Sequence, residues 1–261
     1  MTTLLIEDRD SVRTITMNRP ERRNALNPTM QDELIEALAA APAAGALVVV
    51  IAGAGEAFCS GLDLSVLAGS NDRSAEDFRV EAARTASMFA AIWKCELPTI
   101  AKVHGPAMAG GAGVAMLCDM TIASTTAVFG FPEVKIGFVP ALVGAYLPLL
   151  IGEKRAVEML LSGRRYTASE ALLFGLVNEV VEAEQLDARA AAITAELLAN
   201  SPQAVAATRR MLRAQLEDRL APALKRAAEV NAAARETEDF REGVASFLEK
   251  RKPRWTVSKS A

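Results

Sequence analysis

A carboxylate in an apolar stretch is the first candidate for chemistry in this sequence. Glu133 lies within residues 128–140, VFGFPEVKIGFVP, among valine, phenylalanine, isoleucine and proline. Loss of water raises the proton affinity of a carboxylate, and a raised proton affinity suits a general acid or base. The structural alternative is an ion pair with Lys135 on one face of a strand. Both interpretations stay open at this point.

The first glycine cluster follows an apolar run in IAGAGEAFCSG. Gly53 and Gly55 resemble the start of a dinucleotide-binding fingerprint, but Phe58 takes the place of its third glycine and no clear helix begins there. Two uses remain for this segment. It forms a tight turn after a buried strand, or it exposes a backbone amide near Gly61 and Leu62 to a ligand.

The second glycine cluster lies in MAGGAGVAMLCD, which otherwise favours a helix. Gly110, Gly111 and Gly113 fall in its first turn, where each glycine costs roughly 0.5–1 kcal/mol relative to alanine in a helix interior. Bare N–H groups at a helix N-terminus can bind an anion or a developing oxyanion. Alternatively, the glycines let the helix approach the sheet closely. The residues alone do not decide between these two uses.

Histidine and cysteine offer little support for other chemistry. His104 is the single histidine and the sequence lacks the GxSxG pattern, so we expect a structural histidine. Cys59, Cys95 and Cys118 are odd in number and widely spaced, which predicts neither a disulfide framework nor a metal site. A reducing, cytoplasmic environment fits this pattern best.

Composition limits the class of protein. The 261 residues are 51% hydrophobic and 23% charged, with a formal net charge of −3. This composition predicts a compact, enzyme-sized globular protein and gives no electrostatic reason to expect nucleic acid as a partner. The N-terminus lacks a signal peptide pattern, and no run reaches the roughly 18 apolar residues that span a membrane. We therefore expect a soluble protein with no membrane association.

Strand and helix patterns alternate along most of the chain. An N-terminal β-hairpin precedes a helix with Asn27 as N-cap and Pro28 at its first position, and ALVVVIAG then predicts a strand buried on both faces. A helix capped by Ser74 and Asp77 follows, then the strand PTIAKVHG, the helix GAGVAMLCD and the strand MTIAST. This α/β body extends to about residue 182. Beyond it the sequence predicts helices only, the last with an apolar stripe that includes Phe240.

Several segments together are similar to one known family. NRPERRNALN, GAGEAFCSGLDLSVL, HGPAMAGGAGVAMLCDM, FGFPEVKIGFVPALVGAYLPLLIG and EALLFGLVNEVV resemble the enoyl-CoA hydratase/isomerase, or crotonase, superfamily, in order and over nearly the whole chain. The resemblance implies an α/β fold with a crotonase-like repeated ββα spiral core and a C-terminal helical trimerisation region. We place the core with the acyl-CoA site at residues 1–195 and the helical oligomerisation region at residues 196–261.

The same resemblance implies the site. The backbone N–H groups of Leu62 and Gly110 match the family's oxyanion hole, and Glu133 matches one of its two catalytic glutamates. Lys250 resembles a lysine that reaches the CoA of a neighbouring subunit. The residues that match the family's substrate and CoA contacts, or are plausible phosphate contacts, are Ala25, Ser60, Asp63, Leu64, Arg23, Phe247 and Lys250.

Gly113 departs from the family pattern, because it occupies the position of the second glutamate. The resemblance therefore implies an enoyl-CoA hydratase with Glu133 as its single acid/base, with two alternatives. These are an enoyl-CoA isomerase that uses the same glutamate and an acyl-CoA-binding member without catalysis. No separate cofactor is expected, since coenzyme A is part of the acyl-CoA substrate. The resemblance also implies a role in fatty acid metabolism. The expected assembly is a homotrimer or a dimer of trimers.

Overall fold

The main sheet brings distant segments of the chain side by side. The structure is a computed structural model that describes residues 2–63 and 74–256. In spatial order the six described strands are β1 (Leu4–Arg9), β2 (Val12–Met17), β3 (Val48–Gly53), β4 (Thr99–Val103), β6 (Met120–Ser124) and β9 (Glu179–Val181). The first pair is antiparallel, which confirms the predicted hairpin, and the other pairs are parallel.

A second, smaller sheet lies beside the first in the described part of the chain. Its three strands are β5 (Pro106–Met108), β7 (Val128–Gly130) and β8 (Tyr166–Thr167). The sequence patterns do not predict these strands. Each has only two or three residues, so none can display the alternation that identifies a strand.

Helices follow the strands in a repeating order. The described helices are α1 (Pro28–Ala40), α2 (Ala75–Trp93), α3 (Gly110–Leu117), α4 (Ala141–Ile151), α5 (Glu153–Ser162), α6 (Ala168–Phe174), α7 (Leu186–Leu198), α8 (Pro202–Ala234) and α9 (Glu238–Leu248). Short 3-10 helices occupy Pro20–Arg22, Pro132–Ile136 and Ala183–Gln185. The order strand, strand, helix recurs as β1–β2–α1, β4–β5–α3 and β6–β7–α4, which confirms the ββα pattern.

Side-chain caps begin two of the predicted helices where expected. The Asn27 side chain accepts the Met30 N–H at 2.8 Å, and Pro28 follows at the first helical position. Ser74 accepts the Asp77 N–H at 3.2 Å, while the Asp77 carboxylate accepts the Ser74 N–H at 2.8 Å. These caps satisfy N–H groups that lack partners within the helix, so the helix starts could be predicted from local sequence.

The main sheet is buried on both faces, as the run in β3 predicted. Val49 and Ile51 belong to the large core under α1, α2, α3 and α4. Val48 and Val50 belong to a second cluster, which α7 covers with Leu186 and other apolar residues. Alternate residues of one strand thus face opposite cores.

The segment that carries Glu133 is a 3-10 helix, so the strand face on which the alternative ion pair with Lys135 depended is absent here. Pro132 begins this helix and Gly137 ends it with a φ of +64°. Proline cannot donate a ladder hydrogen bond, and glycine adopts a positive φ without steric cost. The two residues therefore limit the segment to one short helical turn between β7 and α4.

The long helix α8 is fixed to the core by ion pairs. Arg209 contacts the Asp119 carboxylate at 2.7 Å and Arg213 contacts the same carboxylate at 2.8 Å. The Arg213 guanidinium also lies 3.4 Å from the centroid of the Trp93 ring. Since Asp119 immediately precedes β6, these contacts join the C-terminal helices to the main sheet.

Helix α9 packs directly on the segment that carries Glu133. A Cβ atom placed on Gly243 would lie 2.1 Å from the Ile136 carbonyl oxygen, and one placed on Gly137 would lie 2.2 Å from the Asp239 carbonyl oxygen. Any larger side chain at either glycine would separate the two helices. The C-terminal region therefore helps to position Glu133.

The C-terminal part of the described chain is helical beyond β9, as predicted. Helix α7 spans residue 195, so the predicted boundary falls within it, and the division into two regions stays a prediction. No helix of the described residues is long and apolar enough to cross a membrane.

Candidate active site

One cavity collects most of the predicted site residues. Its volume is about 480 Å³, within the usual range for small-molecule sites. Six of the ten predicted catalytic and binding residues line it: Glu133, Leu62, Gly110, Ser60, Arg23 and Phe247. Its walls come from the start of α3, the 3-10 helix with Glu133, and parts of α2, α4, α8 and α9.

Glu133 is a buried carboxylate in the wall of this cavity. Its exposed fraction is 8%, and burial raises its pKa to about 7. Within residues 2–63 and 74–256, no hydrogen-bond donor contacts Oε2 and no cation forms an ion pair with Glu133. This environment favours the titrating carboxylate over the alternative of an ion pair with Lys135.

The backbone nitrogens of Leu62 and Gly110 lie in adjacent segments. A Cβ atom placed on Gly61 would lie 3.2 Å from the Gly110 nitrogen, and one placed on Gly110 would lie 3.8 Å from the Leu62 nitrogen. No acceptor among the described residues pairs with either N–H group. Gly110 is also the first residue of α3, where the helix leaves its N–H groups unpaired. The arrangement can present two N–H donors to one oxygen atom.

The glycines at the start of α3 serve different purposes. A Cβ atom on Gly111 would lie 2.2 Å from the Cys59 carbonyl oxygen, whereas one on Gly110 would meet nothing closer than 3.4 Å. Close packing of α3 against the backbone at Cys59 therefore explains Gly111, in the way that the close-approach alternative predicts. It does not account for Gly110, which lines the cavity.

Ala109 is a site residue that sequence reasoning missed. Its φ of +50° and ψ of −125° are rare for a residue with a Cβ atom. Hydrogen bonds hold this conformation, since the Ala109 N–H donates to the Gly130 carbonyl at 2.7 Å and the Ala109 carbonyl accepts the Gly113 N–H at 3.0 Å. The residue type alone does not predict this backbone strain. The strained conformation sets the direction of the chain just before Gly110.

Phe89 fills the space beside Gly113. A Cβ atom placed on Gly113 would lie 2.6 Å from the Phe89 ring and 3.0 Å from Val143. Phe89 and Val143 also line the cavity. The wall near Gly113 is therefore apolar, and no second carboxylate at position 113 fits without movement of Phe89.

Arg23 and Ser60 lie together at the cavity. The Ser60 N–H donates to the Arg23 carbonyl at 3.0 Å, and both residues line the cavity. Arg23 has a φ of +50°, because the chain turns sharply after the 3-10 helix Pro20–Arg22. This turn places a cationic side chain at the cavity surface.

Besides Lys250, three of the predicted contact residues do not line the cavity or cannot be placed. Ala25 is buried and does not line the cavity. Asp63 is also buried, and its carboxylate pairs with Arg19 at 3.0 Å, which gives it a structural partner. Leu64 lies outside the described residues. Their predicted contacts with substrate stay predictions.

The two predicted residues of the C-terminal segment differ in position. Phe247 is 56% exposed and lines the cavity of its own chain. Lys250, with a φ of +54°, is exposed and lies outside that lining. This position is compatible with the predicted reach of Lys250 toward a neighbouring subunit, which stays a prediction.

The remaining candidates for chemistry lie elsewhere. His104 contacts the Gly55 carbonyl through Nε2 at 2.8 Å and does not line the cavity. The three cysteines are buried free thiols. In the part of the chain that the structure describes, histidine, cysteine, aspartate and glutamate form no cluster that could hold a metal ion.

The repeated ββα units define a crotonase-type fold. Its cavity is lined by the buried Glu133 and by Leu62 and Gly110, whose backbone N–H groups have no acceptor among the described residues. Residues 7–258 match the family model described as enoyl-CoA hydratase/isomerase, and the chain belongs to this family.

Individual relatives agree with this membership. The chain is 39% identical over 249 residues to a putative enoyl-CoA hydratase of Thermus thermophilus, covering 95% of this chain and 98% of the relative. It is 37% identical to a mevalonyl-coenzyme A hydratase of Aspergillus fumigatus, with 94% and 91% covered. A crystal structure of an enoyl-CoA hydratase/isomerase from Xanthobacter autotrophicus matches with a TM-score of 0.89 at 36% identity, covering 98% and 99%.

Proposed function

We propose that the protein is an enoyl-CoA hydratase, which adds water across the 2,3 double bond of an enoyl-CoA thioester. Relatives that are named enoyl-CoA hydratases support this activity at the level of the family. The observation that carries the proposal for this chain is Glu133, buried in the cavity wall with a pKa of about 7. A carboxyl group with this pKa can accept and donate a proton at neutral pH.

The two backbone N–H groups supply the electrostatic part of the mechanism. The thioester oxygen binds between the N–H groups of Leu62 and Gly110, which withdraw electron density from C3. As hydroxide adds at C3, negative charge develops on that oxygen and both hydrogen bonds strengthen. Such a donor contributes roughly 3–4 kcal/mol to transition-state stabilisation in other enzymes.

Glu133 performs both proton transfers in this scheme. Its carboxylate accepts a proton from water while the oxygen of that water bonds to C3. The protonated Glu133 then donates the proton to C2, so the product gains the elements of one water and Glu133 returns to its ionised form. The scheme needs no cofactor beyond the coenzyme A of the substrate itself.

A specific observation favours a second candidate, double-bond isomerisation. Residue 113 is a glycine, and Phe89 fills the space beside it. No second carboxylate at this position therefore helps to position water. A single base suffices for isomerisation, since Glu133 can take a proton from C2 of a 3-enoyl-CoA and return it to C4. The oxyanion stabilisation would serve both reactions equally.

Product identification separates the two candidates. The purified protein is incubated with a 2-enoyl-CoA and with its 3-enoyl isomer, and the products are identified by mass and chromatography. We expect the 2-enoyl substrate to gain the mass of one water. Migration of the double bond without a change in mass would instead support the isomerase. Tight acyl-CoA binding without turnover of either substrate would support a non-catalytic binding protein.

We also propose a cytoplasmic homotrimer or dimer of trimers. The three buried thiols, none of them in a disulfide, agree with a reducing compartment. Leu161 of α5 and Leu173 of α6 are 72% and 71% exposed, which leaves apolar surface available to other subunits. The family resemblance supports the number of subunits.

A further inference from the structure

A buried amide lies unpaired in the wall of the cavity. Asn231 of α8 is only 4% exposed and lines the cavity. No donor among residues 2–63 and 74–256 reaches its Oδ1 atom. An amide oxygen that has lost water without gaining a donor destabilises the folded chain, so such an atom points to a ligand group that completes it.

A hydroxyl group, that of Thr85 in α2, lines the same cavity as this amide of α8. Arg235 pairs with Glu81 at 2.6 Å, and Lys94 pairs with Glu217 at 3.2 Å. These pairs fix the two helices as antiparallel neighbours. Thr85 lies one turn after Glu81, and Asn231 lies one turn before Arg235. Each of the two residues thus lies one turn from the Glu81–Arg235 pair, and both line the cavity.

Thr85 has a hydrogen-bonding capacity that its neighbours do not use fully. Its Oγ1 lies 3.0 Å from the Gln31 Oε1 atom and 3.1 Å from the Glu81 carbonyl oxygen. Both partners are acceptors, so the single hydroxyl proton is engaged and an acceptor position on Oγ1 remains. Thr85 and Asn231 together thus present acceptors to the cavity, with the Asn231 amide N–H groups as donors.

Both charged and apolar side chains line the rest of the cavity, the charged ones being Arg23, Glu133, Lys135, Arg165 and Arg251. Phe89, one turn further along α2, forms the apolar wall over Gly113, and Phe138 and Leu142 also line the cavity. An unbranched alkyl chain would be sufficient to fill a uniformly apolar cavity. It would leave the Asn231 amide without a partner.

We propose that Asn231 and Thr85 bind a hydroxyl group on the acyl chain of the substrate, which makes a hydroxylated enoyl-CoA the preferred substrate class. This inference rests on the proposed acyl-CoA function of the same cavity. A hydroxyl donates and accepts at once, so it satisfies the amide in either orientation about its Cγ atom. In the orientation that the structure shows, an ionised carboxylate has no proton to donate to Oδ1, and an alkyl chain has neither donor nor acceptor.

Binding of saturated acyl-CoA pairs tests the proposal without any turnover. Butyryl-, hexanoyl- and octanoyl-CoA are compared by calorimetry with their ω-hydroxy counterparts. At the chain length that reaches Asn231, we expect the hydroxylated ligand to bind at least about tenfold tighter than the alkyl ligand. Asn231→Leu keeps the shape and removes the amide, so it should reverse this preference by weakening the hydroxylated ligand and tightening the alkyl ligand. Thr85→Val should reduce the preference in the same direction.

Matched variants and a third ligand complete the experiment. Asn200→Leu changes an exposed asparagine at the end of α7, whose Nδ2 donates to the Glu196 carbonyl, and should retain the wild-type preference. The proposal is overturned if the wild type shows no preference at any length, if Asn231→Leu affects both ligands equally, or if an ω-carboxyl chain binds tightest. Because the readout is binding, a hydroxyl preference without turnover of any enoyl-CoA would contradict the proposed hydratase and leave this site intact.

Discussion

Burial of one carboxylate sets the pH range of the proposed chemistry. Desolvation raises the pKa of Glu133 from 4.5 to about 7. Hydration starts with proton transfer to Glu133, so only the ionised form of the free enzyme can begin the reaction. At pH values below about 7 the carboxyl group is protonated, and the active fraction decreases.

The raised pKa of Glu133 predicts the pH profile of the reaction. With 2-enoyl-CoA as substrate, kcat/KM should fall about tenfold for each pH unit below about 7 and level off above it. The measurement is initial rate over pH 5 to 9 at low substrate, with folding checked by circular dichroism at each pH. A midpoint near the ordinary value of 4.5 would contradict the assignment of Glu133 as the base.

The wall beside Gly113 gives a second test at the scale of single residues. Gly113→Glu alone should lower the melting temperature, because the Cβ atom of the new side chain would lie 2.6 Å from the Phe89 ring. Combined with Phe89→Ala, it should be accommodated and should raise the ratio of hydration to isomerisation. Phe89→Ala alone is the control. A single Gly113→Glu variant with wild-type stability would show that Phe89 does not close this space.

At the scale of elements, α9 holds the turn that carries Glu133. Since a Cβ atom on Gly243 would lie 2.1 Å from the Ile136 carbonyl oxygen, Gly243→Ala should destabilise the protein by about 1–3 kcal/mol and lower kcat/KM. The melting temperature and initial rates are measured together. Gly144→Ala in α4 is the matched control, because its Cβ atom would meet only Leu160 at 3.6 Å. Equal effects of the two changes would argue against a special role for the α9 contact.

Elements with local signals could be predicted from the sequence, and those that depend on distant partners could not. The Asn27 and Ser74 caps and the β-branched run of β3 each act within a few neighbouring residues. Strands β5, β7 and β8 exist because they pair with one another, and their sequences carry no period. At Glu133, Pro132 and Gly137 argue against the strand face of the ion-pair alternative, and the structure has a 3-10 helix there.

The same limit applies to the candidate site. Glu133, Leu62 and Gly110 could be found because their segments resemble a family, and the structure places all three at one cavity. Thr85 and Asn231 could not be found, since they lie on helices far apart in sequence and line one cavity only in the folded chain. The strain at Ala109 likewise depends on the Gly130 carbonyl, which a linear pattern does not reveal.

At the scale of the whole molecule, the proposed assembly predicts a definite mass. Sedimentation at micromolar concentration should give three or six copies of the 27.7 kDa chain. Charged substitutions at the exposed residues Leu161 and Leu173 should weaken the assembly if their apolar surface is part of a subunit interface. A monomer at all concentrations would contradict the assembly and the predicted reach of Lys250 to a neighbour.

The central claim is that Glu133 alone moves the protons, and Glu133→Gln tests it most directly. The measurement compares kcat for 2-enoyl-CoA with the Kd of a saturated acyl-CoA, for wild type and variant. We expect kcat to fall by a factor of about 10²–10⁴ while Kd changes less than about threefold, because glutamine keeps the shape and cannot accept the proton. Because burial raises the pKa of Glu133 from 4.5 to about 7, its cost to folding stability grows between these pH values and is complete above about pH 7, so the variant should be no less stable there. A variant that keeps most of its kcat would contradict the account.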